Sequence, residues 1–320
     1  MALGATTRDP DVIILVETVT PPCQRTSALW VAVTGRSRSE PPRDALWRVA
    51  TLNIWNRQGP WTQRLPLIRD GLAALDADAI GLQEVMGFTG LPSQAHEIAG
   101  GTGWNVHYAP AWNLGGGLTM GNAIVTRHPL LETQILPLPS PPDVDTRTVA
   151  FARIDCAHGP MPVFVTHLTF QEHLASARRA QVRVLADHVA ALAPISGPPP
   201  VLLGDFNADP DSDEMRFLRG LTTIDGTSVY FADCWSTTSG AEPGAGPGWT
   251  YDRRNPYAIR SREPSRRIDY AYVRGPSRHL CGEPLNAQLC LTEAVDGIYP
   301  SDHYGVVAEI YAAKRNHDQY

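Results

Sequence analysis

Two short strings and four isolated polar residues carry the side chains of this sequence that could do chemistry. Gly-Asp-Phe-Asn-Ala-Asp spans residues 204–209, and Ser-Asp-His spans residues 301–303. Each polar group comes directly after a run of apolar residues, which is where a rigid scaffold presents catalytic side chains. The complete set is Asn53, Glu84, His167, Asp205, Asn207, Asp269, Asp302 and His303. One member alone is weak evidence, because an Asp or Glu that closes a strand is usually a turn or a helix cap.

Together, these four carboxylates, two histidines and two asparagines favour metal-assisted hydrolysis of a phosphate ester. Oxygen ligands select a hard cation, Mg²⁺ or Mn²⁺, over zinc. Such a cation neutralises the charge of the transferring phosphate and stabilises the leaving oxygen. A histidine held by a carboxylate can take a proton from water, and a second histidine and an Asn amide can donate hydrogen bonds to the phosphate oxygens.

The elements that must position these residues are mainly strands. Strand-like runs rich in Val, Ile, Leu and aromatic residues cover 47–53, 78–83, 104–109, 119–126, 148–155, 161–167, 200–204, 268–273, 287–293 and 304–310. Helical patterns cover 61–75, 172–193 and 212–219. Because strands outnumber helices by roughly three to one, the pattern favours two sheets packed face to face with helices outside over a doubly wound parallel sheet.

The domain organisation follows from where this regular pattern begins and ends. Residues 1–45 contain several Pro and Ser residues and no sustained periodicity, so we expect a poorly ordered extension. Residues 46–312 contain no internal repeat and no linker, which indicates one catalytic domain. Residues 313–320 form a short C-terminal tail.

Composition excludes several broad classes of protein. Hydrophobic residues make up 43% and charged residues 19%, with a net charge of −6, so the chain is neither collagen-like, coiled-coil nor intrinsically disordered. We find no secretory signal and no apolar run of the roughly 18–20 residues that a membrane span needs. A soluble, cytoplasmic monomer is therefore our default expectation.

The five cysteines are scattered along the chain, which makes a disulfide scaffold or a zinc site a poor fit, although Cys281 and Cys290 could pair across a loop.

In combination and order, these strings resemble the endonuclease/exonuclease/phosphatase superfamily. Its members include pancreatic-type deoxyribonucleases, neutral sphingomyelinases, inositol polyphosphate 5-phosphatases and apurinic endonucleases. The resemblance covers about residues 47–312. It implies a four-layered α/β sandwich, in which two packed, mostly antiparallel sheets are flanked by helices, and a Mg²⁺-dependent phosphodiesterase activity.

The resemblance also implies a role for each matching residue. Glu84, Asn53 and Asp302 correspond to metal ligands, and His303 corresponds to a general base held by Asp269. Asp205 corresponds to the residue that orients or activates the attacking water, and Asn207 corresponds to a phosphate-oxygen donor. His167 occupies the position of a second catalytic histidine, where apurinic endonucleases have Asn, so it points to the other branches. Arg147 lies near the position where some members place a phosphate-binding arginine.

The substrate is less well defined than the reaction. Residues 253–267 contain six arginines and one acid, which favours an anionic ligand, although a solvated surface loop explains the same charges. We expect the loop 248–257 to line the cleft and the substrate to contact Trp249, Tyr251, Asn255 and Arg267. Nucleic acid is our first prediction and a lipid headgroup or other small phosphoester the alternative. A catalytically silent binding module of the same fold is a third reading, which the presence of Glu84, Asp205 and His303 disfavours.

Overall fold

The computed structural model describes residues 42–238, 246–275 and 281–313. Its twelve described strands are β1 Leu46–Asn53, β2 Ala79–Phe88, β3 Asn105–Gly115, β4 Leu118–Thr126, β5 Leu130–Leu138, β6 Arg147–Cys156, β7 Gly159–His167, β8 Val201–Asp205, β9 Ala232–Asp233, β10 Asp269–Val273, β11 Glu283–Cys290 and β12 Gly305–Tyr311. The α-helices within the same ranges are α1 Trp61–Ala74, α2 Gln94–Ala99, α3 Ala175–Leu192, α4 Asp213–Leu218 and α5 Cys234–Thr238. Short 3₁₀ helices cover Arg43–Ala45, Glu172–Leu174 and Ala258–Ser261.

The strands form two six-stranded sheets with matching topologies. The first sheet has the order β11-β12-β1-β2-β4-β3 and the second the order β5-β6-β7-β8-β10-β9. Each sheet has one parallel pair, β1 with β2 and β7 with β8, and the other neighbours run antiparallel. The predicted α/β sandwich of two mostly antiparallel sheets is therefore confirmed.

Three clusters of buried apolar residues pack the two sheets against each other and the helices against the sheets. One cluster takes residues from both sheets, among them Val49 and Val165, so the sheets pack face to face. A second packs the α3 stripe, which includes Val182 and Leu185, against the outer face of the β5–β10 sheet. A third packs Ile68 of α1 against the outer face of the other sheet. This order, with helices outside two sheets, gives the four layers.

Most sequence-predicted elements are present, but several were missed or displaced. The strand β5 alternates between exposed and half-buried residues and contains Pro137, so its sequence lacks a continuous apolar run. The short elements β9, α2 and α5 were also missed. The predicted strand 287–293 is β11 and lies at 283–290, and the predicted helix 172–193 begins with a 3₁₀ turn before α3.

The outer boundaries of the predicted domain meet in the first sheet. Ala45 precedes β1, and its carbonyl accepts a hydrogen bond from the backbone N–H of Ala312, at the end of β12. Residues 1–41 of the predicted extension and 314–320 of the predicted tail lie outside the described residues. Within the described part of the chain, no helix is both long and apolar enough to cross a membrane.

Cys281 and Cys290 do not form a disulfide, so the pairing that the sequence left open is absent. The two cysteines are not bonded to each other, and Cys281 Sγ instead donates a hydrogen bond to the carbonyl oxygen of Ala312 at 3.1 Å.

Candidate active site

The predicted catalytic residues converge because their strands end or begin at the same edge of the sandwich. The parallel strands β1 and β2 run toward that edge, and β7 and β8 do so in the other sheet. Strand β10 runs antiparallel to β8, so its first residue, Asp269, is paired directly with Asp205. His303 comes two residues before β12, which runs antiparallel to β1.

The string around Asp205 requires a glycine at position 204. A Cβ atom at this position would lie 2.1 Å from the carbonyl oxygen of Thr166, on the neighbouring strand β7. No side chain fits at that distance, so only glycine lets β8 pair closely with β7 and place Asp205 next to His167.

Asp205 is the centre of the site. Its Oδ2 accepts a hydrogen bond from Asn53 Nδ2 at 3.0 Å and lies 3.5 Å from His167 Nε2 and 3.9 Å from His303 Nε2. Its Oδ1 accepts the backbone N–H of Asn207 at 2.9 Å. Burial and the nearby charge of Asp269 raise the pKa of Asp205 to about 7. This carboxyl group can therefore exchange a proton near neutral pH.

His303 is held by Asp269. The ring Nδ1 lies 2.8 Å from Asp269 Oδ2, which leaves Nε2 directed toward Asp205. Burial opposes the charged ring, but the carboxylates of Asp269 and Asp302 outweigh it and hold the pKa of His303 well above its usual range. Asp269 itself is fully buried, and its backbone N–H donates to Thr250 Oγ1 at 3.1 Å.

His167 has the opposite electrostatic environment. Burial, reinforced by the positive charges of Arg147 and His303, holds the pKa of His167 well below its usual range. The ring is therefore neutral at physiological pH. Arg147 is also buried, and it pairs with Asp145 while one guanidinium nitrogen lies 3.5 Å from the carbonyl oxygen of His167.

Glu84 lies on the β2 side of the site, at an irregular position of the strand. It has a φ of +58°, and the pairing of β2 with β4 shifts between Leu82 and Val85. This bulge re-aims the side chain toward the site. Glu84 Oε1 accepts a hydrogen bond from Asn53 Nδ2 at 3.2 Å, and Oε2 accepts one from Asn56 Nδ2 at 2.7 Å. Asn56 is a site residue that the sequence analysis missed.

The acidic residues on this side fit a divalent cation. Neither Glu84 nor Asp302 forms an ion pair with an arginine among the residues the structure describes. Burial raises the pKa of Asp302 to about 7, and the negative charge of Glu84 adds to this against the opposing charge of His303. Because neither carboxylate forms such an ion pair within the described part of the chain, the two favour a bound cation, and oxygen donors favour Mg²⁺ or Mn²⁺.

A second group of possible metal ligands overlaps with the catalytic residues. One ligand atom each of Asp205, Asp269 and His303 lie within 4.8 Å of one another. In addition, Asp269 Oδ1 is buried and has no hydrogen-bond partner. These residues form a second group of candidate ligand atoms, in which His303 is already paired with Asp269.

The residues predicted to contact substrate have different environments. Trp249 is exposed, and the ring of Tyr251 packs against His303 with 5.0 Å between ring centroids. Asn255 is fully buried, where its Nδ2 donates to the carbonyl oxygen of Ser301 at 2.8 Å. Arg267 forms a two-bond ion pair with Asp233, at 2.8 and 3.1 Å. Asn255 and Arg267 thus have structural partners, whereas Trp249 is open to solvent.

Several arginines of the 253–267 loop are also paired within the protein. Arg254 Nε donates to Asp252 at 2.7 Å, and Arg266 Nε donates to Asp209 at 3.0 Å. Internal carboxylates therefore neutralise part of the positive charge that the sequence assigned to an anionic ligand. The sequence could not show this, because Asp209 and Asp233 lie far from the loop along the chain.

Arg64 of α1 is a further residue that sequence analysis missed. It is fully buried and donates six hydrogen bonds to five backbone carbonyls, those of Ile54, Trp55, Asn56, Gln58 and Pro300, at 2.7–3.2 Å. Burial lowers its pKa to about 10, so the guanidinium remains charged. Arg64 thereby ties the loop that carries Asn56 to the backbone two residues before Asp302.

Comparison with known proteins identifies the same architecture. Residues 50–303 match the sequence profile of the endonuclease/exonuclease/phosphatase family. None of the curated proteins matches the chain. Among solved structures, an endonuclease/exonuclease/phosphatase from Beutenbergia cavernae is 23% identical, with a TM-score of 0.60, covering 84% of this chain and 72% of that one. Truncated TDP2 from Caenorhabditis elegans is 18% identical, with a TM-score of 0.64 and coverages of 83% and 98%. A functionally unknown conserved protein from Enterococcus faecalis is 21% identical, with a TM-score of 0.63 and coverages of 83% and 100%.

Proposed function

The chain belongs to the endonuclease/exonuclease/phosphatase family, and we propose that it is a divalent-metal-dependent phosphodiesterase that hydrolyses its substrate by direct attack of water. The observation that carries the proposal is the position of Asp205. Its Oδ2 lies 3.5 Å from one histidine of low pKa and 3.9 Å from another of high pKa. A carboxylate between a neutral and a charged imidazole provides both a proton acceptor and hydrogen-bond donors.

The attacking water is activated by Asp205 and His303 together. The 3.9 Å between Asp205 Oδ2 and His303 Nε2 is too long for a direct hydrogen bond, so both atoms are available to a water molecule. We assign the proton of this water to the pair rather than to either residue, because strongly interacting groups titrate together. Asp269 fixes the ring of His303 in the required orientation and is a positioning residue in this scheme.

The phosphate group is bound by His167 and Asn207. Neutral His167 can donate a hydrogen bond to a phosphate oxygen without the cost of burying a second charge. One amide hydrogen of Asn207 is used by the carbonyl of Leu168, at 3.0 Å, and the second is free for another phosphate oxygen. As negative charge develops on the phosphate oxygens, both donors stabilise the transition state more than the ground state.

Glu84 and Asp302 would hold the cation, with Asn53 and Asn56 fixing the carboxylate of Glu84 and Ser301 that of Asp302. A bound Mg²⁺ would neutralise phosphate charge and assist departure of the leaving group. The four predicted carboxylates then have separate tasks, since Glu84 and Asp302 would bind metal, Asp205 shares the proton of the water with His303, and Asp269 orients His303.

Hydrolysis of bis(p-nitrophenyl) phosphate tests this proposal. We expect Mg²⁺-dependent release of p-nitrophenol that EDTA abolishes, and we expect Asp205→Ala and His303→Ala each to lower kcat by roughly 10²-fold or more. Asp155→Ala is the matched control, because Asp155 is exposed near the opposite end of β6 from Arg147. A loss below threefold in both site variants would refute the assignment.

Nucleic acid remains the first substrate predicted from the sequence. Nicking of supercoiled plasmid DNA with Mg²⁺, beside EDTA and the Asp205→Ala protein, tests that prediction. The internal ion pairs of Arg254, Arg266 and Arg267 weaken the argument for a basic track along a phosphate backbone.

A further inference from the structure

Five apolar side chains form one continuous face beside the candidate site, which we call the apolar wall: Met86, Phe88, Trp112, Leu118 and Met120. Directly paired residues of antiparallel strands have their side chains on the same face of a sheet. Met120 on β4 is paired with Met86 on β2 and with Trp112 on β3, and Leu118 on β4 is paired with Phe88 on β2. The wall therefore crosses three neighbouring strands.

The apolar wall faces the cleft between the two sheets. Further along β4, on the same face, Asn122 reaches the other sheet and donates to the carbonyl oxygen of Thr148 at 2.9 Å. Trp112 and Met120 line a narrow pocket together with Arg147 and His167. The wall begins two residues after Glu84 on β2 and so borders the proposed reaction centre directly.

The wall is uncharged, and three of its five side chains are exposed, whereas Met86 and Met120 are half-buried. Phe88, Trp112 and Leu118 are 46%, 38% and 36% exposed, and neighbouring Leu91 is 65% exposed. No Asp, Glu, Lys or Arg occurs in residues 85–96 or 105–126, although 19% of the chain is charged. Soluble proteins rarely leave contiguous apolar surface uncovered unless it binds something. The absence of charge argues against a polyanion track and favours an uncharged, apolar occupant.

The occupant must be compatible with access to the cleft. A second copy of this chain held against the wall would obstruct the reaction centre that the wall borders. A nucleobase could stack on Trp112 or Phe88, but the wall offers no cation for the phosphates of a nucleic acid, and Met86, Leu118 and Met120 offer no hydrogen-bonding groups for the base edges. These side chains suit hydrocarbon.

We propose that the apolar wall seats the reaction centre against a lipid surface and that the substrate is a phosphodiester carried in that surface. This inference rests on the proposed function for the reaction and extends it to the substrate class. The tip of the β3–β4 hairpin supports it, because Gly115, Gly116 and Gly117 all have positive φ and no side chain to hinder close approach to a lipid surface.

The test separates surface binding from catalysis. The full-length protein is sedimented with vesicles of phosphatidylcholine in EDTA, so that the readout does not depend on hydrolysis. We expect the wild-type protein to bind and Phe88→Ser/Leu118→Ser to bind at least tenfold more weakly. The matched control is Ile195→Ser/Leu221→Ser, which removes two exposed apolar side chains away from the wall and should bind like the wild type.

A fluorescence measurement guards against a misfolded variant. The difference in emission between the wild type and Trp112→Phe reports the environment of Trp112, and vesicles should shift that difference to the blue.

No vesicle binding by a protein that hydrolyses bis(p-nitrophenyl) phosphate would overturn the lipid inference and leave the proposed function intact. Vesicle binding by a protein that does not hydrolyse bis(p-nitrophenyl) phosphate would support contact with a lipid surface and overturn the proposed function. Wall-dependent binding of a fluorescein-labelled oligothymidylate in place of vesicles would overturn the inference in favour of nucleic acid.

Discussion

Replacing Arg64 by lysine should destabilise the protein and weaken its response to metal. The guanidinium donates six hydrogen bonds to five backbone carbonyls, whereas a lysine ammonium has three donors on a single nitrogen. The carbonyls of Trp55 and Asn56 keep a second donor, the Gln58 N–H and Gln94 Nε2. The carbonyls of Ile54 and Pro300 are reached through one guanidinium nitrogen and that of Gln58 through the other two, so one ammonium should leave at least one of them without a donor. An unsatisfied buried polar group costs about 1–3 kcal/mol, so the free energy of unfolding should fall by about 1–3 kcal/mol. That is a substantial part of the 5–15 kcal/mol typical of a domain.

The same substitution should act on the site because of what the five carbonyls hold. Four belong to the loop 54–58, from which Asn56 donates to Glu84, and the fifth belongs to Pro300, close to Asp302. Loosening both segments should raise the Mg²⁺ concentration needed for half-maximal stabilisation several-fold. Urea denaturation in EDTA measures the first effect, and thermal unfolding against Mg²⁺ concentration measures the second.

Arg69→Lys is the matched control for Arg64→Lys. Arg69 lies on the same helix, is partly exposed and donates one hydrogen bond, to the carbonyl oxygen of Glu97. We expect a change below about 0.5 kcal/mol, as for most surface substitutions. If Arg64→Lys matched this control in both measurements, the argument that Arg64 organises the two segments would be refuted. A loss of stability with an unchanged metal response would refute only the link to the metal site.

Two further predictions concern metal and pH. Glu84→Gln should raise the Mg²⁺ concentration for half-maximal thermal stabilisation tenfold or more, whereas Glu97→Gln should leave it unchanged; equal titrations would exclude Glu84 as a ligand. The raised pKa values of Asp205 and Asp302, about 7, mean that between pH about 4 and 7 these groups bind more protons in the folded protein than in the unfolded chain. Their contribution to stability should therefore fall as pH rises through that window, so Mg²⁺ should raise the melting temperature more at pH 8 than at pH 5. A larger effect of Mg²⁺ at pH 5 would contradict the assigned pKa directions.

The sequence predicted the elements that have continuous apolar runs and missed those that do not. Strands such as β1 and β7 are almost entirely buried, so their hydrophobic residues are consecutive. Strand β5 lies at an edge of its sheet, where every second residue is exposed, and its sequence lacks that pattern. Helix α2 has six residues, too few for a helical period to be recognised.

The role of a site residue could be predicted only where the residues that fix its position are its neighbours in the sequence. The position of Asp205 depends on a residue next to it in the sequence, because Gly204 is required for the close approach of β8 to Thr166 on β7. The roles of Arg64 and Arg267 depend on partners far along the chain, at Pro300 and Asp233, so their positive charges gave no indication of structural use. The apolar wall was hidden for a similar reason, since it joins residues from three strands.

The candidate site combines groups that oppose folding with a scaffold that holds them in place. Asp205, Asp269 and Asp302 are all at least nine-tenths buried, and burial together with a neighbouring carboxylate, Asp269 for Asp205 and Glu84 for Asp302, raises the pKa of two of them. Nothing in folding alone favours such an arrangement, because a buried charge needs a partner. The partners that do exist, His303 for Asp269 and the Asn53 amide for Asp205, fix positions without neutralising the whole site. The remaining negative charge is what a divalent cation and the proton of an attacking water would satisfy, which is why this edge of the sandwich is better explained by catalysis than by stability.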